Sequence, residues 1–145
     1  MRTDPTSGWM ENGAHVFPLR VYYEDTDFSG LVYHAAYLKF MERGRSEFLR
    51  AAGVLHQELA AGHEPVMWAV RRIAVEYLKP AHLEDSLTVR TRTVDLSGAR
   101  IRLRQEIHRG AETLVTADVE VCLVGKGRAR RIPETIRERL EKLGA

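Results

Sequence analysis

The sequence predicts an α+β domain: one long helix laid against a single antiparallel sheet of about five strands. Three observations predict it. Residues 33–52 carry Tyr37, Phe40, Met41, Gly44, Phe48 and Ala51 at helical spacing. Four strand-like runs then follow one another between residues 67 and 124, parted by short turn signals that join antiparallel neighbours. The chain has 145 residues, 44% of them hydrophobic, and one cysteine, which suits a single core held by apolar burial.

Taken in order, residues 1–15 are polar, with Asp4, Pro5, Ser7, Gly8 and Gly13. They are expected to form a flexible N-terminal tail, leaving 16–145 as one domain. Residues 16–23 read as the first strand, with Phe17, Leu19, Val21 and Tyr23 on one face. The long helix of 33–52 turns Lys39, Glu42, Arg43, Glu47 and Arg50 mostly to water, and Gly53 supplies its stop. Gly44 costs a helix about 1 kcal/mol against Ala, and its expected use is a close approach to the sheet. Residues 55–61 suggest a short second helix.

The sheet continues with 67–79, carrying Ile73, Val75 and Tyr77 on one side, and 86–95, carrying Leu87 and Val89. In 99–108, Ile101, Leu103 and Ile107 oppose Arg100, Arg102, Arg104 and Glu106; 113–124 alternates Val115, Ala117, Val119, Val121 and Leu123. Ser97-Gly98 and Arg109-Gly110 mark hairpin turns. After Gly125-Lys126-Gly127, Pro133 suits the first turn of a last helix with Ile136, Leu140 and Leu143 inward.

Several function classes fall away. A net charge of +2 is too slight to argue for nucleic acid. Cys122 alternates with Glu120 and Val124 and reads as a small strand hydrophobe. No apolar run is long enough to span a bilayer, the N-terminal residues lack the apolar core of a signal peptide, and the expected location is the cytoplasm. There is no HExxH and no paired Cys/His spacing, so no metal is expected. No Gly-x-Ser-x-Gly elbow supports a serine hydrolase, and Gly125-Lys126-Gly127 lacks the rest of a nucleotide-binding fingerprint.

One stretch carries chemistry. Val21-Tyr22-Tyr23-Glu24-Asp25-Thr26-Asp27 ends a strand-like run in acidic residues; Gly30 turns the chain, and a helix start follows at Val32-Tyr33-His34. A carboxylate is thereby set beside helix N-terminal N–H groups, whose partial positive charge suits an oxyanion. A base and an oxyanion site are enough for acyl transfer. Asp25 or Asp27 can also be a turn or cap residue. Glu42 with Arg43 or Arg45 reads either as an ion pair or as a solvated helix face. A phosphate-bearing ligand would need Arg or Lys, and Arg72, Arg100, Lys126, Arg128 and Arg130 are candidates, with Arg71 beside them.

Tyr23-Glu24-Asp25-Thr26-Asp27, Gly30, Val32-Tyr33-His34, Tyr37 and Glu42-Arg43, with a second block from Arg72 to Ala81, resemble the hotdog-fold acyl-CoA thioesterases. The nearest branch is the tol-pal-associated acyl-CoA thioesterases among relatives of 4-hydroxybenzoyl-CoA thioesterase. The likeness runs from about Val16 to Arg131. It implies a sheet wrapped around the long helix and pairing into a homodimer or homotetramer. It implies Asp27 as base or nucleophile, Tyr23 and His34 as supporting groups, and the backbone N–H near Tyr33 and His34 as the oxyanion site. The substrate it implies is a small-molecule acyl-CoA, with acyl carrier protein a further partner, no nucleic acid and no cofactor beyond the coenzyme A of the substrate. The turn Ser97-Gly98-Ala99-Arg100 departs from the basic and hydroxyl set of some relatives. The alternative is a non-catalytic acyl-CoA or carrier-protein binding module of the same fold; a dehydratase is a weaker enzymatic rival.

Overall fold

Apolar residues at helical spacing become α1, Ala36–Ala51, which buries Ala36, Tyr37, Phe40, Met41, Gly44, Phe48 and Leu49. The computed structural model describes residues 5–144. The helix begins three residues later than its periodicity suggests, and the Tyr33 N–H ahead of it donates to the Asp25 carbonyl at 2.9 Å. Leu49 fills the inward position expected of Ala51, which is exposed. Gly53, at φ 78°, ends the helix as expected.

The sheet has seven antiparallel strands: β1 (Trp9–Glu11), β2 (Ala14–Arg20), β3 (Met67–Tyr77), β4 (Ser86–Ser97), β5 (Arg100–Arg109), β6 (Glu112–Gly125) and β7 (Arg128–Ala129). Their order is β1-β2-β4-β5-β6-β3, with β7 paired to β6. The count exceeds five because two short strands, β1 and β7, fold back on β2 and β6. The expected tail is corrected at the first of these: Trp9, Met10 and Glu11 pair with Val16, His15 and Ala14, so the sheet starts inside residues 1–15, while residues 1–4 lie outside the described residues. β2 ends at Arg20 and not at Tyr23. Asp25 Oδ2 accepts the Tyr22 N–H at 2.9 Å and winds Tyr23–Asp25 into a single 3-10 turn. The short helices α2 (His56–Ala60) and α3 (Glu134–Gly144) follow their expected places, and α3 buries Ile136 and Leu140.

The inward faces of β4, β5 and β6 close over α1 with Leu87, Val89, Ile101, Leu103, Ile107, Val115, Ala117, Val119 and Val121, all buried. Gln105 sits among them, fully buried; its Nε2 donates to the Met41 carbonyl at 3.0 Å and to Thr91 Oγ1 at 2.9 Å, which ties the sheet to the helix. Gly44 makes the approach possible. A Cβ there would stand 2.6 Å from a Val89 methyl, on a β-branched side chain with no room to move. Gly44→Ala gains about 1 kcal/mol of helix propensity and meets an overpacking cost of about 1–3 kcal/mol. The expected outcome is a net loss of up to about 2 kcal/mol by denaturant unfolding; a stabilised protein would show that the helix does not bear on the sheet at Val89.

Candidate active site

Asp27 lies in a loop that the backbone closes on itself. Its N–H donates to the Leu31 carbonyl at 3.0 Å and its carbonyl accepts from Gly30 N–H at 3.2 Å, with Gly30 at φ 83°. Thr26 bridges to Val32, and Leu31 bridges to His82. The loop is gripped from outside by the β3–β4 connection: Val32 N–H donates to the Ala81 carbonyl at 3.0 Å and Leu83 N–H to the Gly30 carbonyl at 3.1 Å. That connection is itself pinned by Arg109, whose guanidinium donates to Asp85 at 2.8 Å and to Glu112 at 2.7 Å. Asp85 is held below the ordinary carboxylate range: its desolvation, which pushes the other way, is outweighed by the His82 N–H and the Arg109 guanidinium.

Within the loop, the two oxygens of Asp27 differ. Oδ1 accepts the Ser29 N–H at 2.8 Å and also the Ser29 hydroxyl. Oδ2 has no partner among the described residues. The Ser29 hydroxyl, then the Ser29 N–H, hold the carboxyl below its usual range, so Asp27 is ionised at neutral pH. The sign follows: the ionised form persists as pH falls through the ordinary value of about 3.9. Ser29→Ala removes the largest of these donors. The expected result is an upward move of the Asp27 titration toward the ordinary value, read by NMR of the carboxyl carbon; an unmoved titration would mean that the hydroxyl does not act on Asp27.

The two neighbouring acids have different work. Asp25 is buried, caps the 3-10 turn through its side chain and takes the Tyr33 N–H on its carbonyl. This corrects the oxyanion expectation for Tyr33, whose N–H is already spent. The His34 N–H has no partner among the described residues and stands just before α1. The His34 carbonyl accepts the Tyr77 hydroxyl at 2.9 Å, and Tyr77 packs edge-on against Tyr37 with centroids 5.6 Å apart. Tyr37 Oη in turn accepts the Ala81 N–H at 2.9 Å, so Tyr77 fixes the backbone at the helix start and Tyr37 that of the β3–β4 connection. Burial pushes the Tyr37 hydroxyl above its ordinary pKa.

The side chains expected to support Asp27 stand apart from it within one chain. The His34 ring is exposed and leans on Tyr33, centroids 4.5 Å apart. Tyr23 is 82% exposed on the 3-10 turn, and its hydroxyl makes no hydrogen bond to Asp27. The basic candidates are also scattered. Arg100 lies 3.6 Å from Glu120, which Arg71 holds at 2.7 Å, so two of these cations face a carboxylate. Arg72 pairs in register with Glu120 near the middle of β3. Lys126 and Arg128 are exposed at the β6–β7 turn, and Arg130 donates to the Gly125 carbonyl at 3.2 Å. That turn adjoins Met67, at one end of β3, whereas Tyr77 at the other end touches His34. Eleven residues of strand separate the two by about 33 Å. A single chain therefore does not bring Lys126, Arg128 and Arg130 to its own Asp27.

Among the described residues no three His, Cys, Asp or Glu side chains gather as a metal site, and no helix is long and apolar enough to cross a membrane. An antiparallel sheet wrapped about one long helix is the hotdog fold. Residues 21–140 match the family model of the thioesterase-like superfamily, and the chain belongs to that superfamily.

Within it, the chain falls with the YbgC-like hotdog thioesterases. It is similar to the acyl-CoA thioesterase YbgC of Haemophilus influenzae, 39% identical over 123 residues covering 85% of this chain and 89% of that one. A probable thioesterase from Bartonella henselae superposes with a TM-score of 0.80 at 47% identity, over 83% of this chain and 99% of the other. A thioesterase from Thermus thermophilus, crystallised with coenzyme A and zinc, superposes with a TM-score of 0.74 at 29% identity, over 88% of this chain and 92% of the other.

Proposed function

We propose that the protein hydrolyses a small-molecule acyl-CoA to a free carboxylic acid and coenzyme A, with Asp27 as base or nucleophile. The coarse part, an acyl-CoA thioester hydrolase, rests on the family and on the relatives named above. The finer part is carried by one observation: an ionised, exposed carboxylate whose Oδ2 is unused, held by a doubly anchored loop that leads into a helix start where the His34 N–H has no partner among the described residues.

In this reading Oδ2 takes a proton from water, or itself attacks. The attacking oxygen bonds to the thioester carbon, and the carbonyl π pair moves onto its oxygen, where the His34 N–H receives it. Collapse breaks the C–S bond: on the base route this gives the free acid and the proton on Asp27 passes to solvent, and on the nucleophilic route it leaves a mixed anhydride with Asp27, which water then hydrolyses to the free acid and the regenerated carboxylate. The departing thiol has a pKa near 8.5, so it leaves without a strong general acid and takes a proton from solvent. Tyr23 and the His34 side chain then act from an interface or on bound substrate, since neither hydrogen-bonds to Asp27 in the free chain.

The same reading needs a second copy. β3 is the end of the sheet path, with its outer edge unpaired among the described residues, and Met67, Val70 and Tyr77 on it are exposed. Eleven residues of open edge with large apolar side chains are a template for pairing. Two copies joined antiparallel through β3 about a two-fold axis set the start of one β3 beside the end of the other. The partner's Lys126 and Arg128 then come to this chain's Asp27, which removes the 33 Å gap left within one chain. Acyl carrier protein, which delivers an acyl group on the same kind of thioester arm, is the second donor in this proposal. The test is thiol release from a panel of short, long and aromatic acyl-CoAs; a folded protein that releases no thiol from any of them would overturn the proposal in favour of a binding module.

A further inference from the structure

The helix pair that the proposed chemistry leaves unused is Glu42 and Arg45. Both line a cavity of about 220 Å³ between α1 and the inner face of the sheet, with Leu49, Trp68, Leu103 and His56 among its walls. Arg45 is half-buried there and Glu42 is exposed. Arg45 Nη1 donates to Gln105 Oε1 at 3.0 Å, and Gln105 is itself locked by Met41 and Thr91. That bond orients the guanidinium but does not neutralise it. No carboxylate lies within 4.0 Å of it among the described residues. Burial lowers the Arg45 pKa and the charge of Glu42 opposes the change, so the nearest acid is at Coulombic and not hydrogen-bonding range. Trp68 contributes its ring to the apolar part of the same wall.

A half-buried guanidinium with no counter-ion costs free energy. The guanidinium's remaining N–H donors and its unneutralised charge call for a group that only accepts, and an ionised carboxylate is such a group. The volume limits its carrier. At about 30 Å³ per water-sized group, the cavity holds on the order of seven non-hydrogen atoms, too few for a long fatty chain. Trp68 and Val70 belong to the start of β3, the end that two-fold pairing sets beside the partner's Asp27 loop.

We propose that this cavity is the acyl pocket and selects a short acyl group ending in a carboxylate, received by Arg45, so that the preferred substrate is the mono-thioester of a small dicarboxylic acid. The assignment rests on the hydrolase reading above and adds the substrate class. Glu42, exposed and hydrated at the rim, does not occupy the donors that the distal carboxylate takes.

The test compares glutaryl-CoA with valeryl-CoA, equal in carbon number and different in the terminal carboxylate. The parent protein is expected to favour glutaryl-CoA at least tenfold in kcat/KM. Arg45→Met, which keeps length and removes charge, should reduce that preference at least tenfold and leave valeryl-CoA turnover within about threefold; Arg45→Lys should retain part of the preference. No preference in the parent, or an equal loss for both substrates in Arg45→Met, would overturn the proposal. So would dissociation of the oligomer by Arg45→Met in sedimentation, which would assign the guanidinium to a subunit contact. Calorimetry with free glutarate decides the pocket without turnover: binding to the parent and not to Arg45→Met supports it, and no binding to either overturns it. If no acyl-CoA is cleaved while glutarate binds in this Arg45-dependent way, the hydrolase reading fails and the pocket stands.

Discussion

Asp27→Asn is expected to cut thiol release by about a hundredfold or more while leaving the fold intact. Asn keeps an acceptor for the Ser29 N–H and hydroxyl, and the side chain is exposed, so the loop has no reason to open. What is lost is Oδ2 as an anionic acceptor or nucleophile, and an amide replaces it with a donor. The contrast with Asp25 sharpens the prediction. Asp25 is buried and holds the 3-10 turn, so Asp25→Asn should appear first in thermal unfolding and only then in rate. A folded Asp27→Asn protein that turns over as the parent does would remove Asp27 from the chemistry. A larger rate loss at Asp25, with unfolding unchanged, would move the chemistry to that residue.

The loop around Asp27 was legible because its chemistry is local. Asp27-Phe28-Ser29-Gly30 is an Asx turn: the carboxylate accepts the N–H two residues on, and Gly30 takes the positive φ. The part played by Ser29 was readable from the same four residues and was missed. Apolar periodicity located α1, β4, β5 and β6 to within a few residues, and the steric demand at Gly44 is met by Val89 as expected. Helix starts are less visible. The Tyr33 N–H serves Asp25 instead of an oxyanion because of a backbone bond across eight residues, for which side-chain identity gives no signal.

Long-range contacts were out of reach for the same reason. Tyr77 holds the His34 carbonyl and packs on Tyr37, which holds the Ala81 N–H, from elements forty residues apart, and each alone reads as an apolar strand or helix residue. Arg109 sits in a Gly-containing turn signal, with nothing local to link it to Asp85 and, through the β3–β4 connection, to the Asp27 loop. The arginines of β5 read as phosphate ligands or as a solvated face, and the structure separates them. Arg104 faces Asp118 at 3.2 Å and Arg100 faces Glu120, whereas Lys126 and Arg128 project from a turn without a carboxylate partner among the described residues.

That separation leads to the second large effect, in a mixture of two defective chains. One carries Asp27→Asn. The other carries Lys126→Glu with Arg128→Glu, both exposed positions whose reversal should repel phosphate and lower kcat/KM for acyl-CoA about a hundredfold or more without unfolding. After joint refolding, half of the dimers hold one chain of each kind. If Asp27 of one chain works with the basic turn of the other, each mixed dimer has one site with two defects and one site with none. The mixture should then recover about a quarter of the parent activity, half of the sites in half of the dimers. If each site were built within one chain, every site would keep one defect and nothing would be recovered. Joining both sets of substitutions in one chain and mixing it with the parent reads the same geometry in reverse. In a shared site the mixed dimers lose both sites, because each then lacks either Asp27 or the basic turn, whereas in a one-chain site they keep one. Full activity in a sedimenting monomer would defeat the two-chain site outright, since the 33 Å along β3 cannot be closed within a single copy.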